Sequence, residues 1–192
     1  MSKSNLNKQE KLKIGQLVSD LQSKDETKVA AALKAFAVHG HASVIEPIIA
    51  VWRSGLSAEN EVLVIDLFQN LKDTSAIEPL MEAFRDPQNK PLQRKLTAAF
   101  WNSKLDFSEY LADFVLFGIE GDFLDALEAI TVIENFEHMA PESGILESQL
   151  LLTEYFGQTE GRDGQKDAIL TDLAMLLKDF SELDGTEDLF LE

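Results

Sequence analysis

The feature that most constrains this chain is a sentence written twice. Ser43-Val44-Ile45-Glu46-Pro47-Ile48-Ile49-Ala50-Val51-Trp52-Arg53 returns as Ser75-Ala76-Ile77-Glu78-Pro79-Leu80-Met81-Glu82-Ala83-Phe84-Arg85, 32 residues later. The register extends beyond both stretches. Phe36 maps to Phe68 and then to Phe100, Asn70 to Asn102, and Lys72 to Lys104, each by the same shift. A fixed period of this size marks stacked supersecondary units, each too small to bury its own apolar face.

The units read as pairs of helices. Ile14, Leu17, Val18 and Leu21 follow the spacing of an amphipathic helix and align with Ile45, Ile48, Ile49 and Trp52. Asp25 is positioned to cap the next helix, whose expected buried stripe is Val29, Leu33, Phe36 and Ala37, ending at Gly40. Ser43/Glu46, Ser75/Glu78 and Asp106/Glu109 have capping-box spacing. Pro47 and Pro79 then fall in a first helical turn, where the missing N–H costs nothing. Helix B of the second repeat is expected over 58–71, with Val64, Ile65, Phe68 and Leu71 inward. That of the third is expected over 91–103, with Leu92, Leu96, Ala99 and Phe100 inward. Beyond residue 104 the exact period fades while the alternation survives. Leu111, Phe114, Val115 and Gly118 are expected to face the core, followed by Leu127, Ile130 and Ile133 over 123–136. A helix is expected over roughly 142–156, with apolar positions that include Ile145, Leu146, Leu150 and Tyr155. After a polar loop over 157–164, a tenth helix over 165–183 carries Ile169, Leu170, Leu173, Leu176, Leu177 and Phe180. No segment reads as strand. The expected organisation is a flexible N-terminal tail (1–10), one repeat domain (11–183, repeats near 11–41, 42–73, 74–105, 106–138 and 140–183) and an acidic C-terminal tail (184–192). The Leu189-Phe190-Leu191 of that tail would either cover the end of the array or act as a docking peptide.

Composition removes several function classes. The chain has no Cys among 192 residues, which excludes disulfides, Cys-ligated zinc, iron–sulfur clusters and a thiol nucleophile. No apolar run approaches the roughly 20 residues of a membrane span, and Met1–Glu10 lacks an apolar core, so a soluble, cytoplasmic protein is expected. Charge is divided unevenly. Residues 1–104 carry 14 basic and 12 acidic side chains, and residues 105–192 carry 3 and 22. A half with net charge −19 argues against a phosphate backbone as ligand and favours a basic protein surface, or solubility alone.

The run Glu78-Pro79-Leu80-Met81-Glu82-Ala83-Phe84-Arg85-Asp86-Pro87, then Leu92-Gln93-Arg94 and a second amphipathic helix, resembles the HEAT repeat. The period is shorter than usual and is similar to compact bacterial HEAT and bilin-lyase-like repeats. The resemblance is good over 43–104, fair over 12–40 and weak over 105–183. Val62 replaces the Arg of position 94, and the fourth and fifth repeats lack Glu-Pro. The resemblance implies an all-α, right-handed α-solenoid of about five stacked helix pairs, with the B helices lining a concave side. Residues projecting there would be Lys28, His39, Glu61, Asp66, Gln69, Gln93, Arg94, Thr97 and Trp101, then Asp122, Asp125 and Glu128, then Asp167, Asp172 and Asp179. From these, Arg94, Thr97, Trp101, Asp122, Asp125, Glu128 and Asp172 are the candidate partner-binding residues. Trp52 holds the slot of Phe84 and belongs to the core, whereas Trp101 follows the core slot of Phe100 and should face away.

Motifs for chemistry are sparse. No P-loop, Gly-x-Gly-x-x-Gly or Gly-x-Ser-x-Gly occurs, and Asp163-Gly164 and Asp184-Gly185 lack the ligand pattern of a calcium loop. Glu134 and His138 have the i, i+4 spacing of a metal pair but stand alone. The expected function is a non-enzymatic protein-interaction scaffold or adaptor, with no metal, cofactor, nucleic acid or membrane. The alternatives are a HEAT-like enzyme, either a bilin lyase or a DNA-alkylation-repair glycosylase, and a regulatory subunit of a larger complex.

Overall fold

The structure is a computed structural model and describes residues 7–39, 41–158 and 162–187. Among the described residues it is all helical, with ten α-helices and no strand. The chain divides into two compact units between Leu105 and Asp106.

The first unit holds α1 (Lys8–Leu21), α2 (Glu26–His39), α3 (Ile45–Ser54), α4 (Ala58–Gln69), α5 (Ile77–Arg85) and α6 (Gln93–Asn102). Odd-numbered helices pack on odd and even on even, so two layers form: α1, α3 and α5 in one, α2, α4 and α6 in the other. Repetition in sequence becomes repetition in packing. Trp52 meets Phe68 at 6.1 Å between ring centroids, and their counterparts Phe84 and Phe100 meet at 5.9 Å. Each pair ties an odd helix to the even one that follows, in the tilted geometry that aromatic quadrupoles favour.

The helix starts differ from the expected capping boxes. Ser43 and Ser75 lie inside short 3-10 turns, Ala42–Val44 and Thr74–Ala76. The caps stand two residues earlier. His41 Nδ1 accepts from the Ser43 N–H at 3.2 Å, and Asp73 Oδ1 from the Ser75 N–H at 3.0 Å. Pro47 and Pro79 sit within the first turn of α3 and α5, as expected. Asp25 caps α2 through the Thr27 N–H. Helix α1 begins at Lys8, inside the stretch expected as a tail, because Asn7 and Glu10 close a full capping box. Gly55, at φ 105°, ends α3 in a conformation that a Cβ disfavours. The third B helix starts with a 3-10 segment, Pro87–Leu92, before α6. Ala37 is exposed, and Leu67 rather than Ile65 or Leu71 is fully buried in α4.

The second unit holds α7 (Leu111–Glu120), α8 (Phe123–Glu134), α9 (Glu142–Gly157) and α10 (Gly164–Glu187). Here α7 packs on α8 and α9, and α10 packs on α8 and α9. The expected stripe Leu111, Phe114, Val115 and Gly118 is buried. Gly118 permits the close approach of α8: a Cβ there would lie 3.2 Å from Ala129 Cβ and 3.4 Å from Ala126 Cα. Those two alanines, with Ile130, Val132 and Ile133, form the buried side of α8, and Leu127 is exposed. In α9 the buried positions are Ile145, Ser148, Leu152 and Tyr155, and the apolar Leu146 and Leu150 face out. Ser148 enters the core because its hydroxyl donates to its own helix, to Gly144 O at 2.7 Å. Helix α10 continues through 184–187, beyond its expected end; Leu189, Phe190 and Leu191 lie outside the described residues.

Candidate binding surfaces

Polar side chains of the first unit form ladders between helices rather than an open site. In the even layer, Ser57 Oγ donates to Glu26 Oε2 at 2.8 Å, and the buried Asn60 donates to the Glu26 carbonyl at 3.3 Å. One repeat further, Glu61 on α4 accepts from the indole N–H of Trp52 on α3 at 2.7 Å and from the Lys95 ammonium on α6. The Lys95 and Trp52 hydrogen bonds hold the Glu61 carboxyl below its ordinary value, against the opposing effect of burial. In the odd layer, Arg53 on α3 donates to Asn89 Oδ1 at 3.0 Å and to Asp86 at 3.4 Å. Asn89 in turn donates to the Ala83 carbonyl at 2.9 Å. Glu61, expected to project toward a partner, is therefore a three-helix junction.

A cavity of about 580 Å³ opens where the ends of α2 and α4 meet the turns before α3 and α5. Phe36, Leu67 and Leu71 line it, with His41, Asp66 and Asp73 among its polar groups. Those groups already serve the backbone and its neighbours. His41 and Asp73 cap their turns, and Asp66 accepts from Asn70 Nδ2 at 3.2 Å. The Ser75 backbone N–H, then its hydroxyl, lower the Asp73 carboxyl, with His41 a smaller contributor. His41 Nδ1 also lies 3.2 Å from the Ser43 hydroxyl, within the same turn that it caps.

The candidate residues from sequence separate into two groups. Thr97 is fully buried, and its hydroxyl donates to Gln93 O at 2.8 Å, so it is withdrawn as a partner contact. Its place in the repeat is that of Ile65 and Leu33, a core position that a β-branched residue fills once its hydroxyl bonds the preceding turn. Arg94 is half-buried and Trp101 is 36% exposed, both on α6. Asp122 and Asp125, expected to project toward a partner, form a reciprocal capping box. Asp122 Oδ1 accepts from the N–H groups of Leu124 (2.8 Å) and Asp125 (3.1 Å), and Asp125 Oδ2 accepts from the Asp122 N–H at 3.0 Å. Both carboxylates serve the N-terminus of α8. Glu128 is half-buried on α8, and Asp172 is exposed on α10.

Two features of the second unit escaped the sequence reading. The first is a cluster at the joint of α9 and α10. Tyr155 donates its hydroxyl to Asp167 Oδ1 at 2.7 Å, and Arg162 Nε donates to Asp167 Oδ2 at 2.9 Å. The Arg162 guanidinium lies over the rings of Tyr155 and Phe156, at 5.6 and 5.1 Å. Burial, then the bond to Asp167, pushes the Tyr155 phenol up to about 12. Buried Lys166 donates to the carbonyls of Ile119 and Gly121, the latter at 2.8 Å, and so caps the C-terminus of α7 with positive charge. Arg162 and Lys166 are thus engaged within the unit. The second feature is Asp106, which accepts from the Ser108 N–H and hydroxyl and from His138 Nδ1 at 2.6 Å. Because α8 ends at Glu134, Glu134 and His138 are not one helical turn apart, and the suggested metal pair dissolves. Among the described residues no group of three His, Cys, Asp or Glu side chains is placed to hold a metal ion, and no helix is long and apolar enough to cross a membrane.

Compared with protein-family models, with curated proteins and with solved structures, the chain matches none.

Proposed function

We propose that this chain is a non-enzymatic protein-interaction scaffold, built from HEAT-like helix pairs, whose acidic second unit receives a basic partner. The observation that carries this reading is the charge of residues 106–192. Against 22 carboxylates stand 3 cations, of which Arg162 lies on Asp167 and Lys166 on backbone carbonyls. The cations of this unit leave a large negative field uncompensated, and such a field steers and orients a positive partner. The paired aromatic contacts and the layered first unit support the HEAT-like part of the reading. Two of the polar groups around the 580 Å³ cavity, His41 and Asp73, serve as turn caps, which supports binding over catalysis. Arg94, Trp101, Glu128 and Asp172 stay as candidate contacts in this reading, and Thr97, Asp122 and Asp125 do not.

The test is affinity capture from a cell extract at roughly 0.05 and 0.5 M salt, followed by rebinding of each captured protein in purified form. The expected result is one or more purified basic proteins whose affinity falls steeply as salt rises. Rebinding that ignores salt, or capture of nucleic acid in place of protein, overturns the proposal.

A further inference from the structure

Two apolar residues of α9, Leu146 and Leu150, are on its surface. Leu146 and Leu150 are 58% and 59% exposed, and Leu116 on α7 is 41% exposed. These three leucines belong to helices that pack side by side. The register between the helices is fixed at both ends. At the start, a Cβ at Gly144 would lie 3.9 Å from that of Leu111. At the end, Lys166 Nζ bonds the Ile119 carbonyl while lying 5.2 Å from the centre of the Tyr155 ring. Helices α7 and α9 therefore run parallel, offset by about one repeat, and Leu116 is level with the turn that carries Leu146 and Leu150. The buried stripe of α7, Leu111-Phe114-Val115-Gly118, belongs to a helix that packs on α8 and α9, and that of α9, Ile145-Ser148-Leu152-Tyr155, to a helix that packs on α7 and α10. On each helix the exposed leucines lie on the side opposite its own buried stripe. Glu120, Glu147 and Glu154 are exposed on the same two helices. Exposed leucines and carboxylates on two neighbouring helices, in a unit of net charge −19, have the chemistry complementary to an amphipathic helix with a basic polar face.

From this juxtaposition we propose that the Leu116–Leu146–Leu150 face of α7 and α9 is a docking surface for a basic amphipathic helix of a partner protein. This rests on the acidic-module reading above and adds to it the surface and the shape of the ligand. The leucines take the apolar stripe of the incoming helix, and the glutamates meet its lysines or arginines along the rim. Charge sets the rate of encounter, and the leucines set the residence time.

Three synthetic peptides of about 18 residues, roughly five helical turns, test the surface on the full chain. One carries Leu at i, i+3, i+4 and i+7 with Lys elsewhere. The second has the same composition scrambled to remove the apolar stripe, and the third replaces Lys by Glu. The amphipathic Leu/Lys peptide should bind at least tenfold tighter than its scramble. The double variant Leu146→Glu/Leu150→Glu should lose at least that factor, although it makes the surface more acidic. Charge attraction alone would make the same variant bind tighter, so the two explanations differ in sign. Both positions are exposed, and an unchanged helical circular-dichroism spectrum confirms that the variant is folded. Leu127→Glu on α8 should leave the affinity within a factor of two. Equal binding of the stripe and scrambled peptides, with no loss in the α9 variant, overturns the leucine surface and leaves the acidic module standing. Failure of both Lys peptides to bind at low salt overturns both. A free chain that sediments as a dimer and becomes monomeric on Leu146→Glu/Leu150→Glu shows that a second copy covers the face, and overturns the assignment to a partner helix.

Discussion

Glu61 shows how one side chain joins three helices. Its carboxylate takes the Trp52 indole N–H and the Lys95 ammonium, while 28% of the side chain stays in contact with solvent. Replacement by Gln removes the charge-assisted bond to Lys95 and keeps most of the shape. The expected cost is about 1 kcal/mol, since partial exposure screens the pair. The dependence on pH has a definite sign. The carboxyl is lowered in the folded chain, first by Lys95 and then by Trp52, from a reference of 4.5. Its contribution is therefore complete above about pH 4.5 and is lost as pH falls through the lower folded value. Urea titrations of wild type and Glu61→Gln should differ at pH 6 and converge under acid. A difference that stays constant or widens on acidification would show that Glu61 stabilises as a neutral group. Glu61 also marks a limit of sequence reading. Its repeat counterparts are Val29 and Gln93, so only the meeting of Trp52 and Lys95 makes a carboxylate useful at this position.

At the scale of elements, the seam between α7 and α8 depends on what is missing. Gly118 takes the slot that Phe84 holds in the third repeat, and Ala126 and Ala129 lie opposite it. The helices come close because three successive contact positions are small. Gly118→Ala gains about 1 kcal/mol of helix propensity and meets a Cβ and a backbone carbon at 3.2 and 3.4 Å, so it should be near neutral. Gly118→Val adds two methyls where neither neighbour can withdraw, and should destabilise by about 2 kcal/mol, read as a lower urea midpoint with an unchanged slope. A Val variant as stable as wild type would mean that the seam is looser than these distances. The neighbouring pair α9 and α10 is closed differently, by the Tyr155–Asp167–Arg162 cluster and by Lys166 on the end of α7. The first of these seams was visible as a Gly in an aromatic slot. The second was hidden, because Tyr155 and Asp167 stand on different helices.

At the scale of the whole molecule the dominant quantity is charge. Residues 106–192 carry a net −19 against +2 for the rest of the chain, and there carboxylates outnumber cations about sevenfold. Mutual repulsion among them destabilises the folded chain, and added salt screens it. Raising sodium chloride from about 0.02 to about 0.3 M should therefore raise the Tm by a few degrees, measured by circular dichroism at neutral pH. An unchanged or lower Tm would mean that carboxylate repulsion is offset by local bonds such as the Asp122–Asp125 capping box and the Asp106 cluster.

The sequence by itself determined the helices: their number, their alternation, the prolines in first turns and most of the buried stripes. Those properties are local, since capping, proline geometry and helical period act within a few residues. Tertiary structure alone decided which side of a helix faces in where apolar residues lie on more than one side. In α8 the small Ala126 and Ala129 face in and Leu127 stays out, because only small side chains fit against Gly118, where a Cβ would lie 3.2–3.4 Å away. In α9, Ser148 goes inside while Leu146 and Leu150 stay out, because Ile145, Leu152 and Tyr155 together define the side that packs on its neighbours. A hydrophobic period marks the faces able to be buried, and packing against the neighbouring helices selects one of them. The leucines left outside by that selection are the residues proposed here to meet a partner.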